Sequence, residues 1–172
     1  NHKMKKILSL VIASMLFFGA TSLSIAQSKT AHIDTQELIA AMPEMKSAQN
    51  QLEKLTKTYQ ADLQTMATEL QNKMKQYQAE ASTKTDEVNG QRAQEVQSMR
   101  DNVMKYEQNA QQDMSKRQEG LIKPIMEKAR LAIQKVARAK GYQYVIDSTA
   151  GSGLILADGP NLFEDVKKEL GM

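Results

Sequence analysis

The chain has 172 residues, with 23 Lys or Arg against 20 Asp or Glu and no cysteine. Lacking any thiol, it can form neither a disulfide nor a cysteine nucleophile, and its only histidines, His2 and His32, cannot build a multi-histidine metal site. Lys3, Lys5 and Lys6 precede every acidic residue and account for the whole basic surplus of +3, so the rest is formally neutral and lacks the basic face that a nucleic-acid partner needs.

Residues 1–26 read as an export signal. Met4 is taken as the start, Lys5 and Lys6 give a positive stretch, and residues 7–20 are apolar. Ser24 and Ala26 place small side chains at the −3 and −1 positions of a cleavage before Gln27. The apolar run is shorter than the ~20 residues of a membrane span. No cysteine follows Ala26 to carry a lipid anchor. A periplasmic protein is therefore expected, and the sequence leaves membrane contact open.

Residues 30–34 alternate as a short strand, with His32 an ordinary strand residue. Asp34 then suits a helix N-cap, with Glu37 in the capping-box position. From Leu38 through Met45, Leu52, Tyr59, Met66 and Met74 to Ala81, apolar residues recur about every 3.6 positions, the period of a nearly straight helix. A second stripe runs from Val96 through Met99, Val103, Tyr106, Ala110, Met114 and Ile125 to Val136. Between them lies a polar, small-residue stretch, so residues 37–140 are expected to form an antiparallel helical hairpin with its tip near 82–90. Pro43 and Pro124 lie at equal distances from that tip. Each should kink its helix, and together they should form a hinge between arm and base. Both stripes are thin and rich in Met, Ala and Tyr, which supports contact between two helices but no deep core. Gly141 suits a left-handed helix cap.

After Gly141 the period changes. Residues 142–147 and 154–157 read as two strands of a hairpin joined by Gly151-Ser152-Gly153, followed by a last helix over 162–170. Residues 27–36 and 141–172 would then form a small β-rich body, too small to be stable alone. Pooling several bodies would complete a core, so a homo-oligomer is expected, with Ile33, Val145, Ile146, Leu154 and Leu156 as its core. The subunit number does not follow from size.

No constellation for catalysis emerges. Gly151-Ser152-Gly153 lacks the Lys-Ser/Thr of a phosphate-binding loop. Asp34 and Asp147 could pair, but a cap and a turn residue account for them. No enzyme activity and no cofactor are expected.

The order strand, helical hairpin, two strands and helix behind an export signal resembles the Skp/OmpH family of periplasmic chaperones. The resemblance rests on Ala31-His32-Ile33-Asp34, on Met42-Pro43-Glu44, and above all on Ile122-Lys123-Pro124-Ile125 through Ala132–Ala137 to Gly141–Asp147. It covers essentially all of 27–172. It implies an α+β, mostly α, trimer whose tentacle-like hairpins project from a small β body and enclose a cavity. It also implies ATP-independent holding of unfolded outer-membrane proteins. Family members can be strongly basic at the tentacle tips, whereas here Lys73, Lys75, Lys84 and Arg92 mix with Glu80, Asp86 and Glu87. A holder needs many weak, adaptable contacts, for which flexible thioethers are suited. Met74, Tyr77, Val88, Met99 and Met104 are the candidate client contacts. The alternative is a structural or adaptor coiled coil of the envelope that binds one folded partner.

Overall fold

The computed structural model describes residues 29–172. The export signal expected over 1–26 lies outside the described residues. Strand β1, Thr30–Ile33, turns Ala31 and Ile33 into the core. The Asp34 carboxylate then accepts the Glu37 amide at 2.8 Å and caps helix α1, Thr35–Ala41. Met42 adopts an extended conformation, as the residue before a proline prefers, and ends α1.

Helix α2, Pro43–Glu80, begins at the proline. Pro43 therefore does not kink a continuous helix, as the spacing suggested. It occupies the first turn, where its missing amide has no intrahelical partner to lose. Pro124, by contrast, does lie inside its helix, α3, Asp86–Ala139. The two prolines share a height but not a role.

The tip is also tighter than expected. A single 3₁₀ turn, Ala81–Thr83, follows α2, and Thr85 already caps α3 by accepting the Val88 amide. Asp86 and Glu87 sit in the first turn of α3, where the helix dipole favours negative charge. Asn89 donates back to the Ala81 carbonyl at 2.9 Å and closes the turn. Residues 86–90, expected in the tip, are thus helical.

At 1.5 Å per residue, α2 is about 57 Å long and α3 about 81 Å. The excess length of α3 runs down into the body. It ends as the sequence predicts, with Gly141 at φ 75° and the Tyr142 amide bonded to the Ala137 carbonyl at 2.9 Å.

Strand β2, Tyr144–Asp147, pairs parallel with β1, Thr30 opposite Tyr144 and Ile33 opposite Asp147. The expected hairpin is not formed, and residues 154–157 are not a strand. Gly151 and Gly153, both at positive φ, carry the chain away from β2. It returns on the opposite side of β1, where the His32 amide bonds to the Pro160 carbonyl at 2.9 Å and the Leu162 amide to the His32 carbonyl at 3.0 Å. β1 is therefore flanked on both edges, and among the described residues β2 keeps a free one.

Helix α4, Phe163–Glu169, is shorter than predicted by one residue at each end; the Asn161 side chain accepts its first amide, from Phe163, at 2.9 Å. Leu162 and Val166 press into a core completed by Ile33, Leu38, Met42 and the alanines of lower α3. The architecture is α+β and mostly helical, a long antiparallel hairpin projecting from a small β body. No helix among the described residues is long and apolar enough to cross a membrane.

Candidate functional surfaces of arm and body

Among the described residues, Ala110 is the one buried side chain of the arms on the tip side of Ala48, and it keeps 7% exposure. The upper seam is instead clasped by polar groups. Tyr59 donates its hydroxyl to Asp113 at 2.6 Å, and Tyr106 donates to Asp62 at 2.5 Å in the reverse direction. Their rings meet edge to face, with centroids 6.0 Å apart. The Asp62 carboxylate beside it pushes the Tyr106 phenol up to about 12.

Nearer the tip, Tyr77 donates to Glu95, and Lys73 reaches both. Arg92 lies 4.4 Å from the Tyr77 ring and bonds Glu80 at 2.5 Å. The Tyr77 hydroxyl, then Lys73, hold the Glu95 carboxyl below the usual carboxylate range. At the arm base Lys128 pairs with Glu44 and lowers its carboxyl likewise.

These clasps include one of the sequence candidates. Tyr77 has its hydroxyl and ring engaged within the hairpin. Val88 and Met99 are half-buried, while Met74 and Met104 are exposed. Sequence reasoning missed the clasps, although Tyr59 and Tyr106 lie at nearly equal distances from the tip, which is the signal that could have paired them.

It also missed an open groove of about 1000 Å³ on lower α3. Ile39, Ile122, Met126 and Ile133 give it an apolar floor, and Glu119, Lys123, Glu127 and Arg130 give it a rim of both signs. The floor residues Ile122, Met126 and Ile133 each follow a seam residue (Leu121, Ile125 and Ala132) by one position. They form a second apolar line that a search for one stripe passes over.

In the body, Ile33 is already buried in the chain's own core, and Val145 is half-buried against it. Ile146, Leu154 and Leu156 are exposed, together with Tyr144 and Ile155. They lie on β2, which has the free edge, and on the segment that leaves it.

Asp34 and Asp147 do come together, but through a structural joint. The Thr149 hydroxyl lies 3.0 Å from Asp34 and 2.7 Å from Asp147, and Thr35 donates to Asp147 at 2.7 Å. Partial burial raises the Asp147 carboxyl, but hydrogen bonds from Thr149 and Thr35 outweigh it and bring it down to about 2. His32 does more than a plain strand residue. Its ring nitrogens lie 3.1 Å from the Ser148 hydroxyl and 3.0 Å from the Gly159 carbonyl, pinning both ends of the intervening loop.

A family model described as outer membrane protein (OmpH-like) matches residues 29–170. The crystal structure of a proposed outer membrane chaperone (OmpH-like) from Caulobacter crescentus CB15 superposes with a TM-score of 0.75, covering 83% of each chain at 17% identity. At that identity the likeness concerns the fold. No curated protein matches the chain.

Proposed function

Because the chain belongs to the OmpH-like family, we propose that it is an ATP-independent periplasmic holdase for unfolded outer-membrane β-barrel proteins. The observation that carries this reading is the arm surface: exposed Met74 and Met104, and the open groove with Met126 in its floor, offer shallow apolar contact. Such a surface suits weak, adaptable holding of many sequences.

The holder acts as a homo-oligomer, a trimer by family resemblance, whose arms surround the client. Ile146, Leu154 and Leu156, exposed beside the free edge of β2, supply the interface; an unpaired edge flanked by apolar side chains favours strand-to-strand association. Export by the 1–26 segment places the protein with its clients.

The test is aggregation of a urea-unfolded barrel protein on dilution, followed by light scattering, with no nucleotide present. Suppression near one oligomer per client supports holding. Unchanged aggregation at a large molar excess of this protein refutes it.

A further inference from the structure

Among the described residues, four large apolar side chains are exposed on the arms, and three are methionines: Met104 at 59%, Met126 at 53% and Met74 at 39%, with Leu131 the fourth. Their sulfurs are not equivalent. The Arg100 guanidinium lies 3.6 Å from the Met74 sulfur and draws on its lone pair, whereas no polar group is bonded to the sulfur of Met104 or Met126 among the described residues. Met104 and Met126 are both on α3. Their separation is about six helical turns, so they emerge on nearly one face, about 33 Å apart. That face flanks the seam, because the preceding residues, Val103 and Ile125, turn inward. By contrast, Met42 and Met45 are buried in the base.

We propose that Met104 and Met126 are a reversible oxidation site that weakens the arm's hold on apolar client segments. The proposal rests on the holding function given above. The oxidant is a peroxide. The sulfur lone pair attacks one peroxide oxygen, the O–O bond breaks, and an S–O bond forms. The departing oxygen takes up the proton and leaves as water. Sulfur loses two electrons and the peroxide gains them. The sulfoxide is polar, and pressing it against an apolar client segment that offers no donor is unfavourable. The effect would reach the groove through Met126 and the mid-arm through Met104 at once.

The experiment exposes the full folded chain to hydrogen peroxide and maps sulfoxides over time by peptide mass spectrometry. Met104 and Met126 should convert first, Met74 later, and Met42 and Met45 last, with an unchanged circular dichroism melt. The oxidised protein should then suppress aggregation of the unfolded barrel protein several-fold less well. A methionine sulfoxide reductase with a dithiol should restore it. M104L/M126L, compared with itself before and after peroxide, should change less than twofold. M104Q/M126Q should hold several-fold less well with no peroxide.

Conversion of Met104 and Met126 no faster than Met42 would overturn the site. An oxidised wild type that holds as well as before, or a leucine variant that loses as much as wild type, would overturn the effect on holding. A wild type that holds nothing before peroxide would refute the holdase reading and the switch with it, while the mapped order would still decide where oxidation falls.

Discussion

Pro124→Ala and Pro43→Ala should have opposite effects, although both prolines lie at one height of the arm. A proline inside a helix lacks one amide donor, and its ring crowds the carbonyl four residues earlier, here that of Gly120. Such a proline costs about 3 kcal/mol relative to alanine in an isolated helix interior. The regained hydrogen bond accounts for ~1 kcal/mol of that. Because the surrounding helix has settled around the ring, we expect Pro124→Ala to stabilise by about 1–2 kcal/mol. At ~2–4 °C per kcal/mol for a chain of this size, the melting temperature should rise by roughly 2–8 °C. Pro43 opens α2, where no bond is regained. Alanine there loosens the unfolded chain, so stability should fall by up to ~1 kcal/mol. Thermal and urea unfolding by far-ultraviolet circular dichroism measure both. Amide exchange should slow around residues 120–124 in the first variant only. A stiffer arm should also hold a narrower range of client sizes. Equal stabilisation by both substitutions would refute the reasoning, because it would mean that Pro43 interrupts a helix that would otherwise continue. Destabilisation by Pro124→Ala would show that the packing of Ile125 and Ala129 depends on the proline.

Asp147→Asn should melt below wild type at pH 7. The carboxylate is held at about 2 when folded, so its stabilisation is full above its unfolded value of ~3.9 and is lost as pH falls through about 2. The two melts should therefore draw together between pH 4 and 2, and a gap that is undiminished at pH 2 would count against the joint at Thr149. Ile146→Asp places a charge at an exposed position of the isolated chain, so sedimentation should report a smaller species that keeps its helical signal; an unchanged mass would remove Ile146 from the interface. Single alanines at Met74, Val88, Met99 or Met104 should weaken capture of an unfolded barrel protein only a few-fold, whereas deleting 72–100 and rejoining the arms should weaken it far more. One alanine that abolished capture would point to a compact hot spot and an adaptor.

The helical hairpin was legible because its signals are local and repeated: two stripes of one period and a polar tip between them. The cap at Asp34 and the glycine stop at Gly141 were legible for the same reason, since each depends on a few adjacent residues. The sheet was misread because pairing is decided at long range. Residues 154–157 carry a strand composition, but β1 offers its edges to Tyr144–Asp147 on one side and to Pro160–Leu162 on the other. Pro43 was misread because a proline that starts a helix and one that bends it look alike when the apolar period continues across the break. The groove escaped notice because an exposed apolar line one residue from the seam does not stand out in a single-stripe pattern.

The division of chemistry along the arms bears on the choice between a holder and a spacer. A rigid spacer gains most by placing its apolar residues in the seam at strict heptad spacing. Here the upper seam is fastened by Tyr59–Asp113, Tyr106–Asp62 and Tyr77–Glu95, and exposed methionines lie outside it. Directional hydrogen bonds fix the register of two helices without a deep apolar core. Apolar side chains that the seam does not need are left for other contacts. In the base, where α1, α3 and α4 meet, Leu38, Leu162 and Val166 are fully buried instead. An anchored base, a polar-clasped arm and exposed thioethers beside its seam together favour holding over spacing.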